Sequence, residues 1–277
     1  MSPVRYEQRG HTALITLDHP PVNGLGAALR TGIVQALQRA LADGTVQAIV
    51  LAGSERAFSG GADVKEFGTP LALQEPRLPG VIAALEEASK PVIAAISGVC
   101  MGGGLELALG AHFRVARADA QLALPEVKLG LMPGAGGTQR LPRAIGLAAA
   151  LDMIVSGATM KAAKFKGTAL LDAVVDGDPV PPALELADRV VAEALPRKRI
   201  RDLAITDPSA QATLQATRES IAKGSKFLPA PGKCVDAVEL CLTTPFDDAL
   251  RLEREAFLAL MATPEARALR HIFSAER

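Results

Sequence analysis

The sequence predicts an α/β fold that is followed by an all-helical C-terminal region. Up to about residue 205, short apolar runs alternate with stretches in which apolar residues recur at helical spacing, a pattern typical of β-α-β units. Beyond Pro181 the strand-like runs fade and only the helical periodicity continues. We therefore expect a core over residues 1–205 and a helical region over residues 206–277, with boundaries good to a few residues.

The elements are predicted in chain order from their periodicity. Residues 27–43 place Leu29, Ile33 and Leu37 on one helical face, so they are expected to form an amphipathic helix. Short apolar runs predict strands at residues 4–7, 13–17, 46–52, 91–96, 113–116, 121–124 and 171–175. Further helices are predicted at residues 81–89, 102–110, 138–154, 183–194, 207–224, 232–242 and 246–272.

Composition excludes several classes of function. The 277 residues include 30 basic and 30 acidic side chains, so the chain lacks the basic surface that binds nucleic acid. At 49% hydrophobic residues, it has enough apolar material for a core. Its three cysteines, Cys100, Cys234 and Cys241, are too few for a disulfide framework and indicate a reducing compartment, which we take to be the cytoplasm.

One stretch, residues 91–113, is apolar enough to suggest a membrane span. It contains Glu106, a glycine triplet at residues 102–104 and a leading Pro91. These residues fit a strand, a turn and a helix in a protein core better than a transmembrane helix. We therefore expect no membrane partner.

Two glycine-rich turns follow predicted buried strands, at residues 57–63 and 97–106. Glycine allows the backbone to approach a ligand closely, and a helix that starts at the second turn adds unpaired N–H groups. Two backbone donors could then point at one carbonyl oxygen, although either turn alone is more often a plain loop. Neither turn has the Gly-x-Gly-x-x-Gly spacing of dinucleotide sites, and the sequence has no P-loop motif.

Two carboxylates occur in apolar surroundings near these turns. Glu106 lies three residues after Gly103, so its side chain would lean back toward the amides of the glycine triplet. Glu126 lies between Leu124 and Val127, where loss of water would favour acid-base chemistry. The alternative interpretations are a helix-capping role for Glu106 and an ordinary surface position for Glu126.

Four segments together carry a family signature. They are residues 57–66 (Ala-Phe-Ser-Gly-Gly-Ala-Asp-Val-Lys-Glu), 98–108 (ending in Gly-Gly-Gly-Leu-Glu-Leu-Ala), 124–130 (Leu-Pro-Glu-Val-Lys-Leu-Gly) and 133–141 (Pro-Gly-Ala-Gly-Gly-Thr-Gln-Arg-Leu). In this order they resemble the crotonase, or enoyl-CoA hydratase/isomerase, superfamily. Further similarity extends to residues 19–23 and 170–175. Residues 162–166 depart from the family pattern, because a glutamate is missing there and Phe165 is bulky.

The resemblance implies a spiral of ββα turns with C-terminal helices, and an oxyanion hole made by the N–H groups of Ala62 and Gly103. It implies that Glu106 activates water for attack at C3 of a 2-enoyl thioester and that Glu126 delivers the proton at C2. Asp63, Val64 and Lys65, together with Ala62 and Gly103, would bind the substrate on its CoA side. Coenzyme A is then part of the substrate, and neither a further cofactor nor a metal is expected.

Having both glutamates favours an enoyl-CoA hydratase of fatty acid β-oxidation, with isomerase activity as an accompaniment. The sequence most resembles the hydratase module of bifunctional enzymes, in which a 3-hydroxyacyl-CoA dehydrogenase domain follows a tail like residues 268–277. No NAD site is expected within these 277 residues. The resemblance also implies a homotrimer or a hexamer as the assembly.

Two other functions stay open. An acyl-CoA hydrolase would use Ser59, in a near match to the Gly-x-Ser-x-Gly motif, with one of four histidines as its base. Those histidines are His11, His19, His112 and His271. A non-catalytic acyl-CoA-binding module is the second alternative, and the presence of both glutamates argues against it.

Overall fold

The computed structural model describes residues 2–224 and 228–275, so Glu276 and Arg277 of the family-like tail lie outside the described residues. Within these ranges the chain forms ten strands and ten α-helices. The strands are β1 (Val4–Arg9), β2 (Thr12–Leu17), β3 (Ala48–Ala52), β4 (Ala57–Ser59), β5 (Val92–Ile96), β6 (Val99–Met101), β7 (Phe113–Arg117), β8 (Gln121–Ala123), β9 (Met160–Lys161) and β10 (Ala173–Val175). The helices are α1 (Ala27–Ala42), α2 (Leu78–Glu86), α3 (Gly103–Leu109), α4 (Gly137–Ile145), α5 (Leu147–Ser156), α6 (Val180–Ala192), α7 (Ala210–Gly224), α8 (Pro229–Thr243), α9 (Phe246–Met261) and α10 (Pro264–Ala275).

The larger sheet has six strands in the order β1-β2-β3-β5-β7-β10. β1 and β2 form an antiparallel pair, and each following neighbour is parallel. Every residue of β3 and β5 is buried, which explains why these strands read as continuous apolar runs rather than as alternating patterns. Helix α6 covers this sheet, and its Ala187 and Val190 join a core cluster with Val50 and Ile93.

The smaller sheet has four strands in the order β4-β6-β8-β9. Of these, the sequence predicted only β8. The others have two or three residues each, too few for a period of two to be recognised. β4 and β6 are parallel neighbours, with Ala57 opposite Val99 and Ser59 opposite Cys100. Since each strand leads into one of the glycine-rich turns, this pairing places the two turns side by side.

The chain divides into two compact units that do not follow chain order. One unit takes residues up to Leu122 together with Met160–Ile200. The other unit takes Ala123–Thr159 together with the chain from Arg201 onward. The stretch that contains Glu126 therefore packs in the same unit as helices α7 to α10.

Two long predicted helices are each divided in the structure. Residues 138–154 form α4 and α5, with Gly146 between them at a φ of 87°. Residues 246–272 form α9 and α10, and Pro264 begins α10, where its missing N–H costs no intrahelical hydrogen bond. The departure at residues 162–166 is accommodated: Ala162–Phe165 form a 3₁₀ turn with Phe165 only 4% exposed.

The strand and helix predicted within residues 91–113 are confirmed, since this stretch forms β5, β6, α3 and the start of β7. Among all the described residues, none of the helices has the length and apolarity needed to cross a bilayer.

His112 is a buried histidine next to the central strand β5. Its Nδ1 accepts the N–H of Val92 at 3.0 Å, and its Nε2 lies 3.1 Å from the carbonyl oxygen of Glu86. Burial is the main reason why the pKa of His112 is lowered to about 4. The neutral ring therefore serves as a structural bridge between two backbone groups.

This pKa predicts an acid-sensitive fold. As the pH falls from 6.5, the unfolded chain takes up a proton that folded His112 refuses until about pH 4, so stability is lost across that window. We expect His112 to account for a decrease on the order of 3 kcal/mol in the free energy of unfolding. Urea unfolding between those pH values should show a weaker pH dependence for His112→Asn than for wild type. His271→Asn, at an exposed histidine, is the control, and equal slopes for all three proteins would contradict the prediction.

Candidate active site

The two glycine-rich turns bring the backbone of Ala62 next to that of Gly103. A Cβ atom built on Gly103 would lie 3.3 Å from the amide nitrogen of Ala62, and one built on Gly61 would lie 3.2 Å from that of Gly103. Among residues 2–224 and 228–275, neither the N–H of Ala62 nor that of Gly103 has a hydrogen-bond acceptor. Gly103 is the first residue of α3, where the helix leaves its N–H groups unused. The arrangement offers two neighbouring backbone donors to a ligand.

The close approach depends on the glycine at position 61. Its φ of 96° belongs to the left-handed region, which residues with a side chain rarely adopt. A Cβ atom at this position would also lie 2.8 Å from the carbonyl oxygen of Met101. Both the conformation and the space therefore require glycine directly before Ala62.

Hydrogen bonds between Asn23 and the first glycine-rich turn hold that turn in place. Buried Asn23 donates from Nδ2 to the carbonyl oxygens of Ala57 and Phe58 at 2.9 and 3.1 Å. The Ser59 hydroxyl donates to the carbonyl oxygen of Asn23 at 2.8 Å and accepts the N–H of Gly61 at 3.1 Å. Ser59 is fully buried, so its hydroxyl stabilises the turn and is not presented as a nucleophile.

Glu106 lies one helical turn after Gly103, in α3. The side chain is 3% exposed, and every residue of α3 is buried. Its backbone N–H donates to the carbonyl oxygen of Gly102 at 3.0 Å, which completes the first turn of the helix. A carboxyl group in such surroundings has lost most of its water, a condition that favours its use in acid-base chemistry.

Glu126 lies in the second unit and begins a 3₁₀ turn, Glu126–Leu129, three residues after the end of β8. The turn packs against α5, α8 and α10, and the Glu126 side chain is half-buried. Burial, followed by the negative charges of Glu126 and Glu253, raises the pKa of the Cys234 thiol. Glu126 is therefore held among the C-terminal helices rather than on an open surface.

Asp63, Val64 and Lys65 follow Ala62 directly. Asp63 caps the 3₁₀ turn Val64–Glu66, because its carboxylate accepts the N–H of Lys65 at 3.0 Å. Asp63 and Val64 are half-buried, whereas Lys65 is exposed. The turn therefore carries one exposed positive charge, three residues after Ala62.

Glu253, on α9, is a buried carboxylate that was not predicted from the sequence. Its carboxylate is 1% exposed and accepts the N–H groups of Gly136 and Thr138 at 2.6 and 3.0 Å, together with the Thr138 hydroxyl. Phe257, one turn further along α9, fills the space beside Gly134, where a Cβ atom would lie 2.5 Å from the ring. Helix α9 thus holds the glycine-rich segment 133–137 that follows Glu126, and a lone Glu among apolar neighbours on one helical face was the signal for it.

Glu253→Gln is expected to lower the free energy of unfolding by about 3 kcal/mol, because an amide would turn a donor toward buried N–H groups at the start of α4. Chemical denaturation of the purified variant measures the change. Glu255→Gln is the matched control, since that exposed carboxylate pairs only with Arg251 in solvent and should change stability little. Equal effects of the two substitutions would contradict the capping role.

Within the described ranges, no group of three or more His, Cys, Asp or Glu side chains is placed to hold a metal ion. The groups that the two turns and α3 bring together are instead two backbone N–H donors and a carboxyl group. They suit a substrate in which negative charge develops on an oxygen while a proton moves nearby.

Comparison with known proteins decides the family. The family model "Enoyl-CoA hydratase/isomerase" matches residues 7–221. The chain belongs to this family. The family resemblance and the crotonase fold predicted from the sequence are thereby confirmed.

Similar proteins include both long enzymes and solved structures of the family. The chain is 41% identical over 266 residues to the peroxisomal bifunctional enzyme of Homo sapiens, covering 96% of this chain and 37% of that protein. It is 35% identical over 282 residues to the glyoxysomal fatty acid beta-oxidation multifunctional protein MFP-a of Cucumis sativus, covering 96% and 38%. The crystal structure of carnitinyl-CoA hydratase from Mycobacterium avium superposes with a TM-score of 0.72 at 29% identity, covering 100% of this chain and 97% of that one. The chain therefore spans less than two-fifths of the length of the curated relatives from Homo sapiens and Cucumis sativus.

Proposed function

We propose that this family member is an enoyl-CoA hydratase that adds water across the double bond of a trans-2-enoyl-CoA to give a 3-hydroxyacyl-CoA. The observation that carries the proposal is the pair of N–H groups on Ala62 and Gly103, which adjoin each other and have no acceptor among the described residues. A thioester oxygen that accepts both hydrogen bonds gains stabilisation as enolate charge develops on it. One such donor is worth on the order of 100- to 1,000-fold in rate.

In the proposed mechanism, Glu106 takes a proton from a water molecule as the water oxygen bonds to C3. The electrons of the double bond move toward the thioester, and the resulting enolate oxygen is held by Ala62 and Gly103. Glu126 then gives a proton to C2, which restores the thioester carbonyl. One O–H bond of water and the π bond between C2 and C3 are broken, and one C–O bond and one C–H bond are formed, so the addition needs no redox partner. Glu106 is then protonated and Glu126 ionised, and proton exchange with solvent restores both carboxyl groups before the next turnover.

Asp63, Val64 and Lys65 are proposed to line the CoA side of the substrate. Because the whole chain has a formal net charge of zero, attraction for the CoA phosphates must come from local cations. Lys65 supplies one such charge on the exposed face of the turn that follows Ala62.

Isomerisation of a 3-enoyl-CoA is proposed as a second activity. Moving a double bond requires one carboxyl group to carry a proton between C4 and C2, and Glu126 fits that task without help from Glu106. Hydration needs the second carboxyl group to activate water. Because this chain has both glutamates, we propose hydration as its main activity and isomerisation as its second.

The hydrolase alternative loses support from the surroundings of Ser59. Its hydroxyl already bonds the backbone of Asn23 and Gly61, and both ring nitrogens of His112 face backbone groups. An acyl-CoA hydrolase would release free thiol from a saturated acyl-CoA, so a thiol-reactive dye distinguishes the two activities. A non-catalytic binding module would hold acyl-CoA and convert none of it.

The decisive experiment follows the loss of the conjugated thioester absorbance with one short and one long 2-enoyl-CoA. Turnover of either substrate supports hydration, and the ratio of the two rates gives the preferred chain length. An inactive wild-type protein on both substrates would overturn the proposal.

The biological setting is proposed on the same basis. The names of the related proteins refer to beta-oxidation and to peroxisomes or glyoxysomes, which supports a role in fatty acid β-oxidation for this chain. We propose the cytoplasm as its location because all three cysteines are free thiols, and imaging of the tagged protein tests this. Light scattering tests the proposed trimer or hexamer. The proposed fusion to a 3-hydroxyacyl-CoA dehydrogenase is consistent with the greater length of the relatives.

A further inference from the structure

The segment between Ala62 and α2 is held in place by polar contacts rather than by burial. It contains two 3₁₀ turns, Val64–Glu66 and Pro70–Leu73, and neither turn has a buried residue. Leu71 and Leu73 are 48% and 61% exposed. Apolar packing therefore does not fix the position of this segment.

A single buried arginine on α1 makes most of these polar contacts. Arg30 is 5% exposed, and its guanidinium donates to four backbone carbonyl oxygens and to the carboxylate of Glu66. The carbonyl oxygens are those of Pro76 at 2.8 Å, Leu25 at 2.8 Å, Leu71 at 2.9 Å and Gln74 at 3.2 Å, and the Glu66 Oε2 distance is 3.2 Å. The planar fork of an arginine suits such a set of fixed acceptors, which a lysine with its single nitrogen cannot reproduce.

Glu66 ties the same segment to the start of α1. Its Oε1 accepts the N–H of Ala27, the first residue of that helix, at 2.8 Å. Its Oε2 accepts a hydrogen bond from Arg30. One carboxylate therefore connects the first turn after Ala62 to both Ala27 and Arg30 of α1. Since the side chains of Arg30 and Glu66 are only 6% and 14% exposed, solvent screens the pair little.

These contacts reach the two N–H donors from both sides. Leu25, whose carbonyl oxygen Arg30 binds, donates its own N–H to the carbonyl oxygen of Gly61 at 2.8 Å. The side chains of Leu25 and Leu78 both border Gly103: a Cβ atom there would lie 3.7 Å from the first and 2.6 Å from the second. Leu78 begins α2, two residues after the Pro76 carbonyl oxygen that Arg30 binds.

We propose that Arg30, paired with Glu66, is a positioning residue for the oxyanion hole: it fixes the Ala62 amide and the Leu78 side chain against Gly103. This role rests on the proposed function, because the hole has a purpose only when a thioester oxygen binds there. Arg30 itself does not touch the reacting atoms.

The test compares Arg30→Lys and Arg30→Met with Arg114→Lys. Arg114 is the matched control, because it is 1% exposed and also donates to backbone carbonyl oxygens, those of Leu170 and Ala111, away from the two turns. We expect Arg30→Lys to fold, to lose about 10- to 100-fold in kcat for hydration and to keep KM within a few-fold. Arg114→Lys should lower the melting temperature by about as much as Arg30→Lys does, but with kcat unchanged. Arg30→Met should lower kcat further than Arg30→Lys.

A spectroscopic readout separates positioning from stability. Butyryl-CoA labelled with ¹³C at its thioester carbonyl has no double bond to hydrate, and hydrogen bonds from the hole should lower its carbonyl stretching frequency in infrared difference spectra. We expect the full shift in wild type and in Arg114→Lys, and a smaller shift in both Arg30 variants. A full shift together with wild-type kcat in Arg30→Lys would overturn the proposal, as would an equal kcat loss in Arg114→Lys.

The same spectra distinguish failure of this inference from failure of the proposed function. A wild-type protein that binds butyryl-CoA without any carbonyl shift would overturn the proposed oxyanion hole and the role of Arg30 with it. A wild-type protein that shifts the carbonyl but hydrates no enoyl-CoA would overturn hydration alone, and the Arg30 variants would then support or contradict the positioning role through their carbonyl shifts.

Discussion

Replacing Glu106 by Gln is expected to lower kcat for hydration of a 2-enoyl-CoA by about 100- to 10,000-fold, the usual contribution of one positioned acid-base group. Glutamine keeps the size of the side chain and can hold a water molecule, but it cannot accept the water proton. The isomerisation of a 3-enoyl-CoA does not consume water, so this variant should keep most of that activity. Absorbance assays with the two substrates measure the two rates separately.

Glu126→Gln is expected to differ in one respect: it should lose hydration and isomerisation together. Both reactions transfer a proton at C2, which hydration delivers and which isomerisation of a 3-enoyl-CoA removes and carries to C4. Glu185→Gln, at an exposed carboxylate on α6, is the control and should match wild type in both assays. The assignment of the two carboxylates is wrong if Glu106→Gln loses isomerisation as severely as Glu126→Gln, or if either variant hydrates at the wild-type rate.

Gly61→Ala is expected to lower kcat for hydration by about 100- to 1,000-fold, as if one donor of the oxyanion hole were removed. The added Cβ would lie 2.8 Å from the Met101 carbonyl oxygen and 3.2 Å from the Gly103 nitrogen, and both atoms belong to backbone that cannot rotate away. Ala62 and Gly103 would therefore be pushed apart.

Gly10→Ala is the matched control for this substitution. Gly10 also has a positive φ, of 60°, but nothing lies within 4 Å of an added Cβ. It should share the conformational strain of about 1 kcal/mol without any effect on kcat. The prediction fails if Gly61→Ala turns over like Gly10→Ala when both are compared at equal folded concentration.

The larger sheet was predictable from the sequence because its strands have five or six residues each, and the central strands β3 and β5 are apolar throughout and follow one another in β-α-β order. The exception is β10, predicted as five residues and observed as three. The smaller sheet was missed because β4 and β6 lie inside the glycine-rich turns, where short strands resemble loops. Pairing between β4 and β6 spans about 40 residues of sequence, and no local pattern reports a contact at that range.

The proposed site residues were found by local spacing and by family resemblance, and their roles stay predictions until they are tested. Ala62, Gly103 and Glu106 belong to segments whose glycines mark them out within a few residues. Arg30 and Glu253 were missed because their partners lie far along the chain: Arg30 binds a carbonyl oxygen 46 residues away and Glu253 binds an N–H 117 residues away. A charged residue in an amphipathic helix is usually exposed to solvent, so the apolar neighbours of Glu253 on its helical face indicate burial but do not reveal its partners.

The contact between Glu253 and Gly136 can form only after the ribosome has synthesised residue 253. At a translation rate of roughly 5 to 20 residues per second, the 117 residues between them take about 6 to 23 s to appear. Throughout that interval the nascent segment around Glu126 has no α9 to hold it, whereas β1, β2, β3, β5 and β7 of the larger sheet have already been made and β10 is made early in the interval. Ribosome-bound chains that stop before residue 253 should therefore protect the sheet from protease while residues 130–138 remain open to cleavage.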